Sequence, residues 1–192
     1  MTTIQRGTLT DAITKFWTFA APVYDQGCLQ RLVYKPAQDE VIDRLRQHGS
    51  AQIVDVACGT GILATRIQQD LRPDEVYGLD MSDGMLAQAR RRSDRVRWKS
   101  AAAEELPFAD GFLDAVVTTS AFHFFDQPAA LREFHRVLAP GGIVAVTTVV
   151  PTPGETRKLF ESAGFRVEDQ HRVRRTFWTP VADTITVGLK PA

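Results

Sequence analysis

The 192-residue sequence predicts an α/β fold, because short buried strands alternate with helices and end in turns or carboxylates. Three stretches carry that reading. Gln52-Ile53-Val54-Asp55-Val56 is dominated by β-branched residues and stops abruptly, as a buried parallel strand does. Ile62, Leu63 and Ile67 follow at helical spacing, across a turn built from Ala57, Gly59 and Gly61. Glu75-Val76-Tyr77-Gly78-Leu79-Asp80 reads as a second strand that ends in an acid.

The first strand, its small-residue turn and the helix behind it are the parts of a nucleotide site. Small residues let a ligand approach the backbone, and the amides opening the helix carry partial positive charge. A dinucleotide turn wants glycine or alanine at the third counted position, for close helix packing. The counted positions here are Ala57, Gly59 and Ile62, and the third is too large. Asp55, at the strand end, is a poor neighbour for a pyrophosphate and a good one for a cation. A tight turn with no ligand is the bland alternative.

The run Asp55-x-Ala57-Cys58-Gly59-Thr60-Gly61 resembles motif I of the class I S-adenosylmethionine-dependent methyltransferases. The resemblance implies that Asp55 lies near the methionine portion of that cofactor, which carries an ammonium. It places Ala57, Cys58, Gly59, Thr60 and Gly61 around the ligand.

Composition narrows the class further. Hydrophobic content of 44% and charged content of 24% fit one soluble globular domain, and a net charge of zero gives no global attraction to nucleic acid. No signal pattern opens the chain and no apolar run approaches a membrane span, so a cytoplasmic protein is expected. Cys28 and Cys58 make no disulfide framework, and no metal-ligating cluster is visible.

The arm before the motif, residues 1–49, is expected to be helical, with residues 50–192 forming the core of a single domain. Ile13, Phe16, Trp17 and Phe19 make an aromatic cluster, followed by Tyr24-Asp25. Pro36 suits the first turn of a second helix with Val41, Ile42 and Leu45 on its face, and Gly49 can close it. Packing on the sheet is the bland role of the aromatic cluster. The order around Tyr24-Asp25 is similar to the N-terminal segment of methyltransferases of ubiquinone and menaquinone biosynthesis, which implies a tyrosine near the reacting end of the cofactor.

Asp80 stands about twenty residues past the glycine turn, the position of an acid that accepts from ribose hydroxyls. That device is shared with NAD proteins. Ser82 fills the cap position of the next helix. Asp80-Met81-Ser82-x-x-Met85-Leu86 resembles the second methyltransferase motif, which adds Met81 and Met85 to the cofactor residues. The cations Arg90, Arg91, Arg92, Arg95, Arg97 and Lys99 read as a solvated surface rather than a nucleic-acid patch.

Residues 96–99 form a third strand, and Ala101-Ala102-Ala103-Glu104-Glu105-Leu106-Pro107-Phe108 follows. Aligned on Leu-Pro-Phe, this is the segment in which the family usually has an Asp or Asn for the adenine amine. Ala102 stands there instead. Ala103 and Glu104 are the remaining cofactor residues of the segment, and binding somewhat weaker than usual is expected from the lost hydrogen bond, worth about 1 kcal/mol.

Residues 113–118 make the fourth strand, and Thr119-Ser120-Ala121-Phe122-His123-Phe124-Phe125-Asp126 continues it. This is unlike the Asn/Asp-Pro-Pro-Tyr/Phe of enzymes that methylate base amines, and resembles the small-molecule branch. Ser120 then belongs to the cofactor site. His123, at the sheet edge where α/β folds bind ligands, is the candidate general base, with Tyr24 as the second catalytic candidate. A histidine packed beside the cofactor is the competing reading. Asp126 caps a helix bearing Leu131, Phe134, Val137 and Leu138, which ends at Pro140-Gly141-Gly142 before a fifth strand over 143–150. The last stop resembles the family's R-V-L-x-P-G-G signature.

The lid that many relatives insert after this strand is absent from the sequence. Thr152-Pro153-Gly154-Glu155 instead starts a helix directly, and residues 165–173 and 183–189 supply two strands with Phe177, Trp178 and Pro180 between them. The resemblance spans nearly the whole chain. It implies a Rossmann-like, seven-stranded, mostly parallel sheet with helices on both faces and an antiparallel last strand. It further implies methyl transfer from S-adenosylmethionine to a small or lipid-like acceptor, with S-adenosylhomocysteine as product. A cofactor-binding partner or regulator without catalysis is the alternative, an NAD oxidoreductase is a third, and a homodimer that supplies the lid stays open.

Overall fold

The computed structural model describes residues 34–175 and 183–192. The elements run α1 (Lys35–His48), β1 (Gln52–Val56), α2 (Ile62–Asp70), β2 (Glu75–Asp80), α3 (Asp83–Arg92), β3 (Arg97–Ser100), β4 (Leu113–Thr119), α4 (Gln127–Val137), β5 (Leu138–Thr148), α5 (Pro153–Ser162), β6 (Arg166–Arg172) and β7 (Thr184–Leu189). They build one seven-stranded sheet in the order β3-β2-β1-β4-β5-β7-β6. Pairings among β1 to β5 are parallel, while β7 runs antiparallel to both β5 and β6. This is the expected Rossmann-like sheet with its antiparallel last strand.

Period-two alternation assigns each strand residue to a face. Ile53, Val76, Ala115, Val117, Ile143 and Ala145 join α1 and α2 in one core layer. Val54, Val56, Tyr77, Leu79, Val116 and Val144 join Leu131, Phe134 and Phe160 of α4 and α5 in the other. The central strands are buried on both sides, as parallel strands of such a sheet are.

Helix ends follow the sequence signals. Pro36 opens α1 and Gly49, in the left-handed region at φ 72°, closes it. Ser82 accepts from the Met85 N–H, Asp126 from the Ala129 N–H, and Thr152 with Glu155 forms a capping box. α5 follows β5 after only a few residues, so no lid intervenes there.

Two expectations need correction. The fifth strand starts at Leu138, not at residue 143, and extends only to Thr148. Leu138 pairs with Leu113, and the register slips before Ala115 meets Ile143, so the Ala139-Pro140-Gly141-Gly142 stretch is carried inside an irregular strand. Gly142 runs tight against its partner: a Cβ there would lie 3.0 Å from the Asp114 carbonyl oxygen. The helix before it stops at Val137, so Leu138 reaches the core from the strand. The Lys190 ammonium then donates to the His135 and Leu138 carbonyls, each at 2.8 Å, and caps the end of α4.

Candidate functional site

Strands β1, β2 and β4 end side by side, and the residues that follow them gather at one edge. Asp55 pairs with Gly78 of β2 on one side and Val117 of β4 on the other. The turn after β1 places Ala57, Gly59 and Gly61 in the left-handed region, at φ 56°, 55° and 78°. Its backbone is pinned to β2: the Cys58 N–H donates to the Leu79 carbonyl at 2.9 Å, and the Gly59 N–H to Asp80 Oδ2 at 2.8 Å.

Asp80 organises this edge. Its second oxygen accepts the Ser82 N–H at 2.8 Å, so one carboxylate bridges the β1 turn and the entry to α3. Burial pushes its pKa up, against the amides of Ser82, Gly59 and Met81, which favour the charged form. With three amides on its roughly four acceptor positions, the carboxylate retains room for a hydroxyl donor.

Asp55 is more deeply placed, at 2% exposure. It accepts from the Ala64 N–H, and burial raises its pKa well above the usual carboxylate range, with the nearby Asp80 charge adding to the effect. Its Oδ2 is buried without a hydrogen-bond partner. No ion pair among the described residues reaches it. A buried carboxylate oxygen without a partner suits a cationic donor. The same burial, then Asp55 and Asp80, pushes the Cys58 thiol up, so the sulfur is a neutral packing group and not a nucleophile.

Gly61 also makes room for a side chain of β3. A Cβ on Gly61 would lie 2.4 Å from Trp98 Cη2, and one on Gly78 would lie 2.2 Å from Trp98 Cζ3. The indole fills the room these glycines leave, and its Nε1 donates to the Ser93 carbonyl at 2.9 Å. The Cβ side of Gly61 therefore serves Trp98 packing. Arg92, grouped with the solvated cations in the sequence, donates from Nε to the Thr60 carbonyl at 2.9 Å and braces the same turn. Neither Trp98 nor Arg92 was expected at the site. A glycine inside a strand, Gly78 opposite Trp98, was the one signal that pointed to a close approach.

The methionines separate. Met81 is 43% exposed, whereas Met85 is buried below the Ser82 cap. Asp80 pairs with Ser100, which brings residues 101–104 beside Met81. Ala103 is buried in the core layer and Ala102 is half-buried. Glu104 accepts the Asp126 N–H at 2.8 Å, and so ties this loop to the cap of α4.

At the end of β4, Ser120 takes a left-handed backbone at φ 57° and its N–H donates to the Thr147 carbonyl at 2.9 Å. Phe122–Phe124 forms a 3₁₀ turn anchored by the buried Phe122. His123 is exposed there, 4.0 Å from the Phe124 ring, and the partial burial of its imidazole lowers its pKa. It is neutral near pH 7 and able to accept a proton. Tyr24, Phe177, Trp178 and Pro180 lie outside the described residues. The polar groove beside Gln68, Arg72, Arg92 and Arg95 contains none of the strand-end acids.

Residues 54–146 match the family model for a methyltransferase domain. The chain is 39% identical over 142 residues to a demethylmenaquinone methyltransferase of Thermus thermophilus, covering 69% of this chain and 64% of that protein. It is 34% identical over 172 residues to a malonyl-[acyl-carrier protein] O-methyltransferase of Enterobacter lignolyticus, covering 89% of this chain and 65% of the relative. The chain thus spans less than two thirds of these relatives. Among solved structures it superposes on the complex of the Haloferax volcanii Trm112 methyltransferase activator with its methyltransferase. That match has a TM-score of 0.81 and 20% identity, over 92% of this chain and 98% of that one.

Proposed function

We propose that this chain, whose residues 54–146 match the family model for a methyltransferase domain, is a class I methyltransferase that transfers the methyl group of S-adenosylmethionine to a small-molecule acceptor. The unpartnered oxygen of buried Asp55 carries the reading. The cofactor's α-ammonium would supply the missing charge and donor there. Asp80 would accept from the ribose hydroxyls while it holds the Gly59 and Ser82 amides. Met81, Ala103 and Glu104 would border the base, and the backbone of the β1 turn would lie against the nucleoside.

The cofactor brings an already activated methyl group, so the protein's contribution is alignment and exclusion of water. His123, neutral and exposed at the end of β4, is the group that takes the acceptor's proton as the new bond forms. Tyr24 is the second candidate for orienting the acceptor. The relatives named above act on a quinone precursor and on a carrier-bound malonyl group. Phenolic, quinone-like and carboxylate acceptors are therefore the first to test.

Calorimetric titration with S-adenosylhomocysteine, with NAD as control, decides the class. Saturable binding of the first alone supports methyl transfer. Binding of NAD alone overturns it. Turnover with any acceptor removes the reading of a non-catalytic partner.

A further inference from the structure

From the loop after β3 we infer that this chain holds the cofactor's base by its ring and does not read its exocyclic amine. The inference rests on the cofactor assignment above. A purine amine is read by an acceptor at hydrogen-bond distance, and three alanines, Ala101, Ala102 and Ala103, open the loop beside Asp80. Two of the acceptors that follow are engaged within the protein. The Ala102 carbonyl accepts the Glu105 N–H at 3.3 Å, and the Glu104 carboxylate accepts the Asp126 N–H at 2.8 Å.

Glu104 is further held because its loop is strapped to α4. The Leu106 N–H donates to Glu133 at 2.7 Å, and Arg136 donates to the Leu106 and Phe108 carbonyls. Turning Glu104 Oε1 toward a base would break its bond from the Asp126 N–H. Beside Asp80, Ala102 is half-buried and the Met81 thioether is exposed. A thioether and a methyl favour a purine's flat, polarisable surface and are indifferent to its 6-substituent. A site that makes a hydrogen bond to a ligand group rejects the analogue lacking it, whereas a site that makes none does not.

The test compares S-adenosylhomocysteine with its 6-desamino analogue, in which purine riboside replaces adenosine and the ring nitrogens are kept. Calorimetric titration of the full chain should give dissociation constants within about twofold of each other. In Ala102→Asp, S-adenosylhomocysteine should bind about fivefold tighter, as one added net hydrogen bond provides, and the analogue should not gain. Analogue binding tenfold or more weaker in the unsubstituted chain would overturn the inference, since an acceptor such as the second Glu104 oxygen would then be reading the amine. The comparison in the unsubstituted chain decides even if Ala102→Asp fails to fold. Failure of S-adenosylhomocysteine itself to bind overturns the cofactor assignment and this inference with it.

Discussion

Asp55→Asn should make the ligand-free protein more stable and the ligand-bound protein less so. The buried carboxylate has one oxygen without a partner, and its pKa is raised chiefly by burial. An acid whose folded pKa lies above its unfolded value of 3.8 binds its proton more tightly in the folded state. Its contribution to stability is therefore fully present below pH 3.8 and is lost as pH rises through the folded pKa. Asparagine keeps the shape and the acceptor for the Ala64 N–H but carries no charge. The gain from exchanging a buried charged orphan for a neutral one is about 1–2 kcal/mol. For a protein of this length that is roughly 2–8 °C in Tm.

Melting curves from pH 4 to pH 8, with and without S-adenosylhomocysteine, check the reasoning. Without ligand, the advantage of the asparagine variant should grow with pH and then level off. Ligand affinity should fall roughly tenfold to a hundredfold, the worth of one charge-assisted hydrogen bond. A variant no more stable than the parent at pH 8, with unchanged affinity, would refute the account of Asp55.

Gly61→Ala combines a left-handed backbone with a Cβ 2.4 Å from Trp98, so urea unfolding should show a loss of about 2–4 kcal/mol. Trp98→Phe in the same chain should recover part of it by vacating that space. Arg136 donates to Glu133, Asp110 and the Leu106 and Phe108 carbonyls, and these contacts hold its pKa well above the ordinary arginine value. Arg136→Ala should cost about 2–3 kcal/mol, with lysine recovering less than half because it lacks the planar fork. Once an acceptor is found, His123→Ala should lower kcat about 10²–10⁴-fold. The acid limb of the pH–rate profile should fall below the usual histidine range, because burial lowers the His123 pKa; a profile flat through that range would remove it as the base.

The features legible in the sequence are those where one residue decides local geometry. Ser82, Asp126 and Thr152 cap helices where their position after a strand or loop predicts it. Asp80 at a strand end meets the turn twenty-one residues before it, because parallel neighbours bring those ends together. What was not legible depends on contacts between distant segments. Trp98 reads as a strand residue amid cations, and only the fold stacks it against Gly61 and Gly78. Arg92 is one of a run of arginines, and nothing in that run marks the one that reaches Thr60. Ala139-Pro140-Gly141-Gly142 has the composition of a turn, yet hydrogen bonds of Gly141 and Gly142 with Lys190, just past β7, carry it within the strand.

The place of β7 has a consequence for how the chain is made. Among the described residues β6 pairs only with β7, and β7 occupies the position between β6 and β5. On a ribosome, β5, α5 and β6 therefore emerge before the strand that joins them exists. For a few seconds, at ~5–20 residues per second, the edge of β5 from Ile143 to Thr148 stands open as a template for any extended neighbour. The nascent chain is most exposed to mispairing in that interval. A slow codon placed between β6 and β7 would lengthen it, and a holding chaperone would act there.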